Sequence, residues 1–202
     1  VEIDLSQIVP MAAQPHMPDR GVPVADLAGL AVDQVAIGSC TNSSYADLEL
    51  VASVLKNKRV NPATDVMISP GSKRVLVMLT EDANLRTLSD AGARLLECSC
   101  GPCIGMGGSP VSGGVSVRTF NRNFEGRSGT KDAQVYLTSP EVAAQVALNG
   151  KFTNPATWGP APKRKEFPAQ VPNIDALFVY PPENGSEVEV LRGPNIVPIK
   201  PF

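Results

Sequence analysis

The sequence predicts an α/β protein, a three-layer α/β/α arrangement around a largely parallel sheet. Two observations carry this expectation. Between residues 34 and 150, short apolar runs of strand length alternate with longer segments whose apolar residues recur at helical spacing. Turn and capping residues fall at the boundaries between them, as at Pro70-Gly71 and Ser139-Pro140. Strands alternating with helices build a parallel sheet covered on both faces.

Taken in order, residues 1–33 are dotted with proline and weakly periodic, and read as an N-terminal arm with little regular structure. Gln34–Ser39 reads as a buried strand. Ser44 and Asp47 have capping-box spacing, and Leu48, Val51, Ala52 and Leu55 give the following helix, 44–56, an apolar face. Asp65–Ser69 is the next strand. Helices follow at 72–80 and 84–92, then a short strand at 94–97. Two more strands are expected at 116–120 and 134–138. The last helix starts with Ser139 as cap and Pro140 at its first position, and stops at Gly150. Residues 151–175 are rich in Pro, Lys and Ala, and 156–202 reads as a C-terminal extension. Leu177–Tyr180 and Glu187–Leu191 are candidate edge strands within it. The final Gly193–Phe202 stretch reads as an extended linker toward a further domain, so the cluster of regular elements is bounded as a domain at 34–155.

Composition narrows the function classes. The 202 residues are 43% hydrophobic and 19% charged, with a net charge of −2, which offers nothing for nucleic acid or an acidic membrane surface. No apolar run approaches the roughly 20 residues of a membrane helix. No signal peptide opens the chain; it begins at Val1, as a piece of a longer protein does. Four cysteines, three of them at 98, 100 and 103, are too few and too clustered for a disulfide framework. They indicate metal or redox chemistry in a reducing compartment, the cytoplasm.

In a parallel sheet the loops leaving the strands gather at one edge, where open α/β sheets bind ligands. Here those loops carry Cys40, then Ser69–Ser72, then Cys100 and Cys103, then Asn121, Arg122 and Arg127. Cys100-Gly101-Pro102-Cys103 presents two thiols to one metal group, and the six glycines between 101 and 114 let backbone approach it. Cys40 supplies a third thiolate, next to a helix N-terminus that favours an anionic centre. Three thiolates on a four-iron cube leave one iron free to act as a Lewis acid. Two other readings stand beside this one: a zinc site completed by Cys98 or His16, and a redox C-x-x-C. Cys98 also suits a small packing residue, and His16 a surface or satisfied histidine. Lys163-Arg164-Lys165 reads as a solvated face without function.

Arg122 and Arg127 stand five residues apart beside the cysteine loops. Guanidinium forks match carboxylates in a bidentate way, so the pair points to a small polycarboxylate substrate; the plain alternative is two surface arginines.

Three segments, Gly38-Ser39-Cys40-Thr41-Asn42-Ser43, Cys100-Gly101-Pro102-Cys103-Ile104-Gly105 and Asn121-Arg122-Asn123-Phe124-Glu125-Gly126-Arg127, together resemble the aconitase superfamily in order and spacing. The resemblance covers roughly residues 20–155 most closely. It implies that Cys40, Cys100 and Cys103 ligate a 4Fe–4S cluster, absent if the chain is isolated or oxidised, and that Arg122, Arg127 and Asn121 contact substrate. The implied reaction converts citrate to isocitrate through cis-aconitate; isopropylmalate or homoaconitate dehydratases are the near alternative. The tail beyond residue 160 favours the citrate reading, because isopropylmalate dehydratase large subunits usually end nearer that point. A non-catalytic zinc module is the alternative of another class. Ser99 stands where the family has Gly, Ala or Cys, and is expected to bear on hydrogen bonding to sulfur. The family's serine base and histidine–aspartate pairs come from other domains, so no complete catalytic set is expected here. The expected partners are a tricarboxylate and the remaining domains of the same enzyme, with no nucleic acid and no membrane.

Overall fold

The computed structural model describes residues 2–160, 162–163, 165–189 and 191–197. The chain divides into two units, 1–172 and 173–202.

In the first unit the elements run in chain order as β1 (Met11–Ala13), β2 (Gly21–Pro23), β3 (Gln34–Gly38), α1 (Tyr45–Leu55), β4 (Asp65–Ser69), α2 (Lys73–Glu81), α3 (Asn84–Asp90), β5 (Arg94–Leu95), β6 (Val115–Arg118), β7 (Gln134–Leu137) and α4 (Pro140–Asn149). Among the described residues seven strands form one sheet in the order β2-β1-β7-β6-β3-β4-β5. The five strands from β7 to β5 are mutually parallel. The local signals act as read. Ser44 caps α1 in a complete capping box with Asp47, Ser139 caps α4 with Pro140 at its first position, and Gly150 closes α4 in the left-handed region.

Strand alternation sorts the two faces. Val35, Ile37, Val66, Ile68 and Val117 share one core with the apolar sides of α1 to α4, including Leu48, Val51, Leu79, Leu88 and Ala143. The alternate positions, Ala36 and Met67, form a second core with Cys103 and Phe120. The architecture is three-layered α/β/α: the helical layer, the sheet, and a thinner layer of loop that carries the 3-10 helix Gly101–Ile104.

The topology explains that third layer. From β3 the chain steps outward through β4 to β5, with helices between. It then returns past β4 and β3 to enter β6 on the other side of β3. Right-handed crossovers in opposite directions lie on opposite faces. The outward steps place α1, α2 and α3 on one face, and the return places the glycine-rich segment 96–114 on the other. The strand order therefore reverses between β3 and β6, and a crevice opens at their carboxyl ends.

Two expectations are revised. The N-terminal arm is not irregular throughout: β1 and β2 pair antiparallel, and β1 joins β7 at Ala13 and Leu137. Three-residue strands show no periodicity of their own; pairing onto an existing sheet edge makes them. In the second unit neither expected edge strand forms among the described residues. Asp175–Leu177 and Gly185–Glu187 are 3-10 turns instead. Val179 is 99% exposed, and among the described residues Leu177–Tyr180 pairs with no other strand. Val190, part of the second expected strand, and residues 198–202 of the expected linker lie outside the described residues. Of the basic run, Arg164 lies outside the described residues, while Lys165 Nζ stands 3.7 Å from the Asp82 carboxylate. No helix among the described residues is long and apolar enough to cross a membrane.

Candidate functional site

β3 ends at Gly38, whose φ of 108° turns the chain out of the sheet, and Ser39 follows with φ 65°. A Cβ on Gly38 would lie 2.0 Å from the Ser69 carbonyl oxygen. Only glycine allows this approach, and the approach lets Ser39 N–H donate to Ser69 O at 2.8 Å. Gly38 N–H donates to Thr119 Oγ1 at 2.8 Å, and Asn42 Nδ2 donates to the Thr119 carbonyl. Ser69 Oγ in turn donates to Glu97 O at 2.7 Å and Ser99 O at 3.2 Å. The exits of β3, β4, β5 and β6 are thus tied together by hydrogen bonds, which is why loops distant in sequence share one edge. Gly38→Ala is expected to lower stability by roughly 2–5 kcal/mol, combining strained backbone with an impossible contact. A urea unfolding midpoint equal to that of the parent chain would contradict this.

The knot of exits brings three cysteines into one electrostatic neighbourhood. Cys40 and Cys100 are exposed; Cys103 is buried at 7% exposure within the 3-10 helix Gly101–Ile104. The Ser39 hydroxyl stands 3.0 Å from Cys103 Sγ and reaches Cys100 Sγ at 3.9 Å. The Thr41 hydroxyl, then those from Ser39 and the Cys100 thiol, pull the Cys40 thiol below its ordinary range against a small cost of burial. Burial pushes the Cys103 thiol up, and the neighbouring Cys100 and Cys40 push the same way, opposed by Ser39. Cys98 belongs elsewhere. Burial raises its thiol, and the charges it feels are those of Lys73 and Glu97, not the other cysteines. His16 lies in the β1–β2 turn, its Nδ1 buried without a hydrogen-bond partner among the described residues. The serine that reaches sulfur is Ser39, whereas Ser99 Oγ accepts from Gly101 N–H at 3.4 Å.

Three thiols at one sheet edge, linked through the Ser39 hydroxyl, have the chemistry of a thiolate-ligated site. Among the described residues no three His, Cys, Asp or Glu side chains gather closely enough to hold a single metal ion. A four-iron cluster takes one thiolate at each of three corners, so its cysteines stand apart around a common centre. The backbone also leaves room: Gly101 and Gly105 border the cysteine loop, and a Cβ on Gly105 would strike Ser128 O at 2.6 Å.

Asn121, Arg122 and Arg127 lie on the loop after β6, all exposed. Neither guanidinium has an ion pair or hydrogen bond among the described residues. The loop itself is fixed at both ends against the cysteine segments. It leaves from Thr119, bonded to Gly38 and Asn42, and returns at Ser128–Gly129 against Gly105. In its middle the buried Asn123 donates from Nδ2 to Gln14 O at 2.7 Å and Val135 O at 3.1 Å. The arginines are therefore presented from a supported loop at the same sheet edge as the thiols, without touching them.

Three contributors are not evident from motif spacing: Ser39, Asn123 and Arg118. Arg118 is wholly buried, and its Nη1 and Nη2 donate to the Pro102 and Gly108 carbonyls on either side of Cys103. A charged residue at the centre of the expected strand 116–120 was the available signal.

With this geometry in place, comparison with known proteins gives a consistent result. The model of the Aconitase family (aconitate hydratase) matches residues 1–150. The chain is 47% identical over 156 residues to the 3-isopropylmalate dehydratase large subunit 1 of Deinococcus radiodurans, covering 77% of this chain and 36% of that protein. It is 44% identical over 154 residues to the 3-isopropylmalate dehydratase large subunit of Thermococcus kodakarensis, covering 76% and 40%. It is 44% identical over 156 residues to the homoaconitase large subunit of Thermus thermophilus, covering 77% and 37%. The chain spans well under half the length of these relatives. The chain belongs to the aconitase family.

Proposed function

We propose that this chain is the cluster-binding part of a hydro-lyase that removes and re-adds water on a small hydroxy-polycarboxylate of the isopropylmalate or homoaconitate type. The observation that carries the reading is the meeting of Cys40, Cys100 and Cys103 at the β3–β6 switch point, with Arg122 and Arg127 on the adjoining loop. The names of the relatives favour these substrates over citrate, the substrate that the length of the tail had favoured.

Cys40, Cys100 and Cys103 would hold a 4Fe–4S cluster. When bound, it supplies a Lewis-acidic iron for a leaving hydroxyl. The chain's own residues do the rest of what can be assigned. Arg122 and Arg127 grip carboxylates in a bidentate way, and Asn121 offers an amide beside them. Ser39 orients the Cys103 and Cys100 sulfurs. The family resemblance assigns the base for the carbon-bound proton to another domain, and the one histidine of this chain, His16, sits in the β1–β2 turn. A further domain or subunit is needed to supply that base, and the relatives' designation as large subunits agrees with this.

The test has two steps. Anaerobic reconstitution with iron and sulfide should give a brown chain absorbing near ~400 nm with matching iron and acid-labile sulfide. A colourless chain carrying stoichiometric zinc would replace the cluster by a structural metal. The reconstituted chain, joined by its missing parts, should then dehydrate isopropylmalate or homocitrate faster than citrate. Faster citrate turnover would return the substrate assignment to the citrate reading.

A further inference from the structure

Arg118 has every polar feature of a paired side chain except an anion. It is 0% exposed. Its Nε donates to Ser116 Oγ at 3.0 Å, and Nη2 donates to Gln34 Oε1 at 2.8 Å and to Gly108 O at 2.6 Å. Nη1 donates to Pro102 O, and the guanidinium lies 5.5 Å from the Phe120 ring centroid. Ser116 Oγ also donates to Gln34 Oε1 at 2.9 Å, which closes the network. All these partners are neutral. No carboxylate pairs with Arg118 among the described residues.

A buried guanidinium without a counter-charge is costly, by several kcal/mol on the scale of ions removed from water. Arginine keeps its charge at neutral pH, and two of its donors end on the Pro102 and Gly108 carbonyls that flank Cys103. Cys103 shares the second core of the sheet with Ala36, Met67 and Phe120, on the face where Arg118 lies. The Pro102 carbonyl precedes Cys103 directly, and Gly108 closes the same loop. The compensating anion therefore belongs at the cysteine site. A four-iron core held by three thiolates provides it, because the thiolates outweigh the core's positive charge.

We propose that Arg118 is a positioning residue that clamps the cysteine loop through the Pro102 and Gly108 carbonyls and serves as the buried counter-charge of the thiolate-ligated cluster. This rests on the cluster reading above and adds to it a residue outside the three ligand motifs. The clamp and the charge are separable. The clamp acts with or without the cluster, whereas the charge acts only on the loaded site.

Three variants of the 202-residue chain separate these roles. Arg118→Met removes both, Arg118→Lys keeps the charge but loses the fork, and Gln34→Glu keeps the fork but neutralises the charge. Two readouts other than turnover are used. In the cluster-free chain, amide hydrogen exchange across residues 101–108 should quicken roughly tenfold or more in Arg118→Met and Arg118→Lys, the loss expected from charged hydrogen bonds, and less in Gln34→Glu, which keeps both guanidinium–carbonyl bonds and loses only the Gln34 Nε2 donation to Ser109 O at 3.2 Å. In the reconstituted chain, the cluster's reduction potential should fall in Arg118→Met and Gln34→Glu and stay near the parent value in Arg118→Lys. Iron should also leave to a chelator roughly tenfold faster in the two charge-lacking variants. Parent potential and iron retention in Gln34→Glu would overturn the counter-charge role, even if Arg118→Met fails to fold. Unchanged exchange in Arg118→Lys would overturn the clamp. A parent chain that takes up no iron–sulfur cluster would instead sink the cluster reading and the counter-charge with it, while exchange still decides the clamp.

Discussion

Cys103→Ser is expected to empty the metal site while leaving the fold in place. Iron per chain after anaerobic reconstitution should drop from about four, or three where the open corner is lost, to background. The serine oxygen is smaller than the sulfur it replaces, so nothing is overpacked, and the Ser39 hydroxyl beside it can still hydrogen-bond to it. Thermal unfolding should therefore shift little, by about 1 kcal/mol or less in stability. A hydroxyl does not ionise near neutral pH and makes a poor ligand to iron, so the loss belongs to ligation and not to folding. Cys40→Ser and Cys100→Ser should behave alike, because each removes one of three corners. Cys98→Ser is the control. Its thiol feels Lys73 and Glu97 and no other cysteine, so iron content should match the parent chain. Iron lost in Cys98→Ser but kept in Cys40→Ser would reassign the ligand set and move the site away from the β3 exit.

The contrast between Cys98 and its neighbours shows what spacing alone conveys. Three cysteines within 98–103 offer several C-x-x-C and C-x-C pairings, and sequence separation does not choose among them. The fold chooses. Gly38 brings β3 against Ser69, Ser39 turns with φ 65°, and its hydroxyl lands on Cys103 and Cys100. The Gly-Ser step before Cys40 was visible; the direction in which Ser39 would point was not, since that follows from a long-range contact with β4. Elements with strong local signals were legible almost to the residue. Ser44 with Asp47, Ser139 with Pro140, and Gly150 each act within one turn of chain, so neighbours in sequence suffice. β1 and β2 were illegible for the opposite reason: three residues have no period, and their conformation is imposed by the edge of β7. Leu177–Tyr180 misled in the reverse sense. Its residues favour strands, but among the described residues they pair with no neighbour, and propensity without a ladder does not make a strand. Arg118 was legible only as a charge within an expected strand, and nothing local pointed to the Pro102 and Gly108 carbonyls that receive it.

Arg122→Lys in the completed enzyme is expected to lower kcat/KM by about 10²–10³-fold while leaving iron content unchanged. Arg122 and Arg127 are exposed and lack protein partners among the described residues, so neither is committed to holding the fold. Their loop, however, is anchored by Asn123 to Gln14 and Val135, and by the Ser128–Gly129 return against Gly105. An exposed cation on a firmly held loop is what a polycarboxylate site requires: the backbone loses little freedom on binding, and the two parallel N–H groups of the guanidinium fix the carboxylate plane. Lysine keeps the charge and loses the plane. If the arginine sets orientation as well as attraction, the variant should lose kcat together with affinity, because misplacing the reacting carbon by about 1 Å costs rate even in a filled site. If it supplies charge alone, Arg122→Lys should raise KM slightly and leave kcat intact, and Arg122→Gln should fall much further. Arg127→Lys offers the same comparison from the other end of the loop. Parent values of kcat/KM in both lysine variants and in Arg122→Gln would remove the loop from the substrate site and leave its arginines as surface residues.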